Sequence, residues 1–313
     1  MRGFALGMSA EMPVGEAFAG SVPVFAAVGW GNFMSAKMPK WTPLALFGAA
    51  SLIAVLAGCW TAQATGVPAG VWARMIGAWL AGLMLALVLS RGVLKGAMRA
   101  GVIIAAIIVL LGLVWTDSGL QGVHRWIVIG PVRLNVAALL LPLAVMLLAE
   151  IAWALGAMLV ITVLLTAQPD ASQASGIAVA AIVLLGAGDR RRVALWLIPV
   201  IAPVAAGSWL QPDPLESVAE VEGIVGLGWA QAPVLAIVAV VALVIAALAP
   251  LAARHERGVT SAATALAAYM LVTAAMPLIG AFPVPLIGMS VSPIIGWWMG
   301  IGALAGRSPR TDQ

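Results

Sequence analysis

Charge is scarce in this chain. Asp, Glu, Lys and Arg make up only 9% of its 313 residues, against about 25% in a soluble domain, so it cannot cover itself with an ordinary aqueous surface. Cysteine is nearly absent. The one thiol, Cys59, excludes an intrachain disulfide and any metal site built on cysteines. The two histidines, His124 and His255, lie far apart in sequence and argue against a histidine cluster. The short alternating segments of a membrane β-barrel are missing. So is any long polar stretch that would form an appended soluble domain. Any activity must therefore be built from helix ends and loops.

What fills the chain instead is apolar. Hydrophobic residues make up 63%, and the mean hydropathy is +1.09. Long apolar runs in such a chain predict an all-α, polytopic membrane protein, because helices satisfy their own backbone in lipid. The runs predict helices at roughly 42–62, 71–90, 100–116, 132–149, 151–167, 174–188, 193–209, 231–252, 259–280 and 286–305. The stretch from Val132 to Gly188 must cross an odd number of times, and three short spans of ~15–18 residues fit it. The turn between the first two falls near Glu150.

The net charge of +4 does not point to nucleic acid, because the basic residues are confined to short loops between the apolar runs. With ten spans they collect on one face: Lys37/Lys40, Arg91/Lys95/Arg99, Arg190 to Arg192, Arg254/Arg257 and Arg307/Arg310. The positive-inside rule makes that face cytoplasmic and leaves both termini inside. Asp117, Asp170, Asp213, Glu216, Glu220 and Glu222 gather opposite, with Arg74, Arg125 and Arg133. Residues 1–33 are Gly-rich, carry Glu11 and Glu16, and lack the basic start and apolar core of a signal peptide. They are expected to be a disordered extension, or sequence upstream of a functional start at Met34. Residues 34–313 then form a single transmembrane domain.

Four outward features could carry chemistry. In the polar turn Gly122 to Pro131, Arg125 offers a planar fork of donors suited to phosphate, and Trp126 suits the interfacial zone. Arg125 could equally pair with Asp117 or cap a helix end. Gln168-Pro169-Asp170 breaks two short spans, and Asp170 can cap the helix that follows. In the loop from Leu210 to Gln231, Glu222 abuts an apolar stretch, Gly223 to Trp229. Partial desolvation there would raise its pKa and suit it to proton transfer, whereas Glu216 and Glu220 read as solvated loop acids. In Gly280 to Pro293, Pro283 and Pro285 prevent a regular helix. Broken backbone at membrane depth is tolerated only when buried or lining a cavity, although an ordinary Pro-rich turn gives the same sequence.

Taken in this order, the features resemble the SEDS family (shape, elongation, division, sporulation), the RodA and FtsW type of peptidoglycan glycosyltransferase. Gly122, Arg125, Trp126 and Gly130 match its G-x-x-R-W-[IL]-x-[IL]-G pattern. Gln168, Pro169 and Asp170 match Q-P-D-L-G, with Ala171-Ser172 in place of Leu-Gly. Pro283, Pro285 and Leu286 match a late G-x-P-L-P-F pattern with one extra residue after Gly280. Leu215 to Gly226 can be laid on the outer-loop pattern L-P-E-x-x-H-T-D-F-I-F-A with one extra residue, which puts Glu222 at the family's essential Asp. The resemblance covers Trp41 to about Ala305. Two departures stand out: the family's Q-P-S-E reads Asn135-Val136-Ala137-Ala138, so its Glu is gone, and the outer loop is shortened.

The resemblance implies a membrane glycosyltransferase of the bacterial inner membrane. It would polymerise a lipid-linked disaccharide at the outer face and release undecaprenyl pyrophosphate. Glu222 would be the general base, Arg125 would balance pyrophosphate charge, and Trp126, Asp170, Pro283 and Pro285 would shape the cavity. A class B penicillin-binding protein is the implied partner. No cofactor is assigned, a divalent cation being one candidate. A non-catalytic scaffold subunit of a cell-wall complex and a flippase for lipid-linked sugars are the rival readings. Ion coupling is disfavoured, because Glu150 is almost the only charge in the apolar interior.

Overall fold

A computed structural model describes residues 41–116, 119–186, 191–253 and 259–307. The expectations for residues 1–33 and Met34, and those resting on Lys37, Lys40, Asp117, Arg190, Arg254, Arg257 and Arg310, lie outside the described residues. The fold is helical, as the composition requires. The first three helices are α1 (Thr42–Ala64), α2 (Ala69–Leu89) and α3 (Ala97–Thr116). They are followed by α4 (Val136–Leu148), α5 (Ala154–Ala167), α6 (Ala171–Gly186) and α7 (Arg191–Gly207). The last four are α8 (Ile224–Gln231), α9 (Pro233–Leu248), α10 (Thr260–Ala275) and α11 (Val291–Ala305). Among the described residues five helical stretches are long and apolar enough to cross a membrane: those of α1, α2 and α3, then Pro233–Ala253 and Thr260–Leu278. Five more, built on α4, α5, α6, α7 and α11, are apolar but shorter.

The helix predicted at 132–149 begins later than expected. Residues Trp126–Ile129 (β1) and Val132–Asn135 (β2) form an antiparallel hairpin in which Ile129 pairs with Val132 across Gly130-Pro131. Gly130 has φ 57°, which suits the first central position of a two-residue type II′ turn, and Pro131 is held at negative φ in the second. β-Branched residues on both sides favour strands over a helical start. Helix α4 begins only at Val136, where the Asn135 side chain accepts from the Ala138 N–H at 2.9 Å. Among the described residues the regular structure is thus helical apart from one hairpin. Arg74 at the start of α2 pins that hairpin by donating to the Pro131 carbonyl at 2.7 Å.

With 132–135 spent on the hairpin, α4 keeps 13 residues and a length of about 20 Å, well short of a ~30 Å hydrocarbon core. Burial in protein removes the need to match the bilayer. Eleven of its residues are buried, so neighbouring helices rather than lipid surround it.

Helix α11 is the centre of the bundle. Every residue of it except Ile295 is buried. Close approach is made possible by small residues, the usual device between helices in lipid. A Cβ on Gly296 would come within 2.1 Å of the Ala138 carbonyl oxygen, and one on Gly300 within 3.0 Å of Pro142. On the opposite side a Cβ on Gly302 would come within 2.4 Å of the Ala86 Cα, and Gly82 faces Trp298. The ascending order of these pairs shows that α2, α4 and α11 run parallel. Trp298 is clamped edge-on by Phe47 of α1 (4.8 Å between centroids) and Trp79 of α2 (5.3 Å). By contrast, only 22% of the apolar window is buried in α2 and in α3, so among the described residues their outer faces are apolar and largely uncovered.

Two further boundaries moved. The run predicted at 231–252 is broken at Ala232, where α8 ends and Pro233 starts α9. The helix predicted at 286–305 starts only at Val291, with Pro293 in its first turn, where proline costs no hydrogen bond.

Candidate functional site

The parallel run of α4 and α11 defines two ends of the bundle. At the end where both begin lies a cavity of about 60 Å³. Four segments far apart in sequence supply its walls: the hairpin, the α5–α6 break, the loop 211–223 and the irregular stretch 280–290. Arg125, Trp126, Asp170, Glu222, Pro283 and Pro285 all line it. Every residue singled out from sequence as catalytic or substrate-binding is therefore brought to one place.

Arg125 is buried, with 5% of its surface exposed. Its Nη2 donates to Asp213 Oδ2 at 2.7 Å and to the Pro169 carbonyl, and its Nε donates to the Gln168 carbonyl at 3.3 Å. The guanidinium also stands 5.9 Å from the centre of the Trp126 ring. Asp117, the partner considered from sequence, lies outside the described residues. The partner the structure provides is Asp213, 88 positions along the chain. Arg125 ties the hairpin, the α5–α6 break and the outer loop together.

Asp170 is also buried, at 2% exposure. Its Oδ1 accepts from the Gln173 N–H at 3.3 Å, the N-cap role for α6. Its Oδ2 accepts from the Asn135 amide at 3.0 Å. Asn135 thus caps α4 with one side-chain atom and holds Asp170 with another. Gln168 donates to the Leu110 carbonyl at 2.7 Å, which fixes the Gln-Pro-Asp break against α3.

Glu222 is half-buried at the mouth. Its Oε2 accepts from the Val218 N–H at 2.6 Å. Burial raises its pKa above the ordinary glutamate value; the N–H of Val218 and its own backbone N–H oppose the rise, and Asp213 adds to it. The loop that carries it is stitched to the irregular stretch by two backbone bonds, Val284 N–H to the Val221 carbonyl at 3.1 Å and Met289 N–H to the Glu220 carbonyl at 3.0 Å. The proline-rich stretch therefore does not hang free; it is bonded to the loop that carries Glu222 and lines the same cavity.

Sequence reading missed several members of the site. Tyr269 is the sole tyrosine of the chain and is fully buried in α10; its hydroxyl donates to Gln173 Oε1. Gln173, Thr273 and Trp297 complete the floor. The available signal was the rarity of polar side chains within apolar helices, since in lipid such groups turn inward. Ala138, the position that the resemblance sets against a Glu of the SEDS pattern, lines the same cavity. Among the described residues no group of three or more His, Cys, Asp or Glu side chains is placed to hold a metal ion.

No protein-family model matches the sequence, and no match was found among curated proteins. Solved structures do match. The crystal structure of the rod shape determining protein RodA from Thermus thermophilus, in an aspartate-to-alanine variant, aligns with a TM-score of 0.59 at 19% identity, covering 85% of this chain and 96% of that one. The unsubstituted RodA of the same organism gives a TM-score of 0.54 at 18% identity, over 88% and 97% of the two chains. The chain has the RodA fold. A chain from a peptidoglycan synthase complex that coordinates polymerization and crosslinking aligns equally well, with a TM-score of 0.59 at 18% identity over 85% and 96%. The RodA-like fold makes this a multi-pass helical membrane protein.

At the other end of the bundle Glu150 is not isolated in the apolar interior. It sits at the α4–α5 turn and pairs with Arg99 and with Arg307, the latter at 2.5 Å. The expectation that Glu150 is a charge within the membrane interior is corrected: α4 ends at Leu148, two residues before it, and the carboxylate emerges among cations.

Proposed function

We propose that this protein is a divergent SEDS glycosyltransferase that polymerises a lipid-linked disaccharide at the outer face of the bacterial inner membrane. It would cross that membrane ten times, with residues 34–313 as one transmembrane domain. One observation carries the reading: residues of all four family patterns, drawn from four separate segments, converge on a cavity whose mouth holds a half-buried carboxylate. In the step proposed, the acceptor hydroxyl oxygen attacks the anomeric carbon of the donor. Its proton passes to the Glu222 carboxylate as the carbon–oxygen bond to undecaprenyl pyrophosphate breaks. The leaving pyrophosphate departs with the electron pair. A glutamate with a raised pKa is suited to hold that proton near neutral pH.

Arg125 is already bonded to Asp213, so its charge is balanced within the protein before any pyrophosphate arrives. The cavity, at about 60 Å³, accepts a small polar group rather than a disaccharide, so its walls must part before a disaccharide can enter. Both points, with Ala138 in place of the family's Glu, favour a second reading in which the chain is a non-catalytic subunit beside a class B penicillin-binding protein.

Purified full-length protein incubated with lipid II, with and without such a partner, separates the two. Glycan formed by the parent and lost by about 10²–10⁴-fold in Glu222→Gln supports the enzyme. Polymer formed equally by both removes Glu222 from the chemistry. A parent that forms none under any partner condition leaves the subunit reading.

A further inference from the structure

The end of the bundle opposite the candidate site holds a second cavity, of about 230 Å³. Arg91 and Lys95 reach it from the α2–α3 connection, Arg99 from the first turn of α3, and Arg307 from just beyond α11. Glu150 is the one carboxylate in its lining. Four cations thus face a single anion, and three positive charges remain uncompensated among the described residues. Glu150 already bonds Arg99 and Arg307. Arg91 and Lys95 are exposed. Nη1 of Arg307 is buried without a hydrogen-bond partner among the described residues. Burial, with Arg99 beside it, lowers the Arg307 pKa to about 10, which still leaves it a cation at neutral pH.

We propose that this cavity binds the phosphate headgroup of an anionic phospholipid. A fork of guanidinium donors matches phosphate oxygens, and a basic pocket between membrane helices recruits such headgroups. The remaining walls decide between a lipid and a soluble phosphate. Leu94 and Met146 line the same space, and α2, which borders it through Leu89, keeps most of its apolar surface uncovered. A headgroup seated among the arginines can lay its acyl chains along that face; a soluble anion gains nothing from it. The site lies at the far ends of α4 and α11 from Glu222 and stands independently of the polymerase reading.

The test uses the full chain in neutral detergent, with native mass spectrometry of lipid retention. Phosphatidylglycerol, phosphatidylcholine and inorganic phosphate are the probes. The parent is expected to retain phosphatidylglycerol over phosphatidylcholine. The double variant Arg91→Gln/Lys95→Gln alters two exposed side chains outside the packed core. It should lose phosphatidylglycerol retention by roughly thirtyfold, at about fivefold per cation removed. Arg133→Gln, on the exposed hairpin at the other end, should bind as the parent does. Equal retention of the two lipids by the parent, or unchanged phosphatidylglycerol retention in the double variant, overturns the proposal. Inorganic phosphate held more tightly than phosphatidylglycerol would also overturn it and give the cavity to a soluble anion.

Discussion

Gly288→Ala tests whether the proline-rich stretch positions Glu222. Gly288 lies where the stretch 280–290 crosses the outer loop. A Cβ there would come within 2.3 Å of the Val221 carbonyl oxygen and 2.9 Å of the Val284 carbonyl oxygen. Both are backbone atoms, so no side-chain rotation relieves the clash, and an ordinary contact demands a separation of about 3.5 Å. The two strips must part by roughly 1 Å. Val221 and Glu220 are also the acceptors for the Val284 and Met289 N–H groups. Losing two such bonds costs about 1–3 kcal/mol, at 0.5–1.5 each. The melting temperature should therefore fall by several degrees. Glu222, next to Val221, moves with the loop. A misplacement of about 1 Å is enough to lower a rate on the order of 10²-fold. Thermal melting in detergent and glycan formation from lipid II read the two effects. A variant that melts and polymerises like the parent would refute the claim that this crossing sets the position of Glu222.

Other outcomes follow from the same geometry. Because burial raises the Glu222 pKa above 4.5, its base form is lost at a higher pH than for a free glutamate, so the acidic limb of the rate profile should lie above 4.5 and vanish in Glu222→Gln. The same shift adds stability that is complete below the unfolded-state value and is lost as pH rises through the raised one; melting against pH should show this in the parent and not in Glu222→Gln. Asp213→Ala leaves buried Arg125 without its carboxylate and should destabilise the fold by about 1.5–3 kcal/mol, measured by denaturation in detergent. Gly302→Ala drives a methyl to 2.4 Å from the Ala86 Cα and should cost about 1–3 kcal/mol, with no titration signature of its own. Reporter fusions at Gln121 and Ser217 should read periplasmic and a fusion at Lys95 cytoplasmic; a cytoplasmic signal at Ser217 would end the ten-crossing topology.

Composition alone determined that this chain is a helical membrane protein, because a backbone in lipid must satisfy its own donors and acceptors within each segment. Local pattern placed most helices, and the breaks at Gln168-Pro169-Asp170 and Pro283–Pro285 were visible as punctuation. The hairpin was legible too, in a Gly-Pro pair between β-branched runs, but the apolar residues of β2 read as the start of a helix. Tertiary structure decided what no window could show. Arg125 meets Asp213 across 88 positions, and Gln173 meets Tyr269 across 96. Glu150 read as almost the only charge of the apolar interior, at a turn between two spans, yet Arg99 and Arg307 come to it from two other segments. Contacts of this kind depend on which helix ends share a face of the bundle. That is set by the close packing of α11 against α2 and α4, and it leaves no periodicity in the segments it joins.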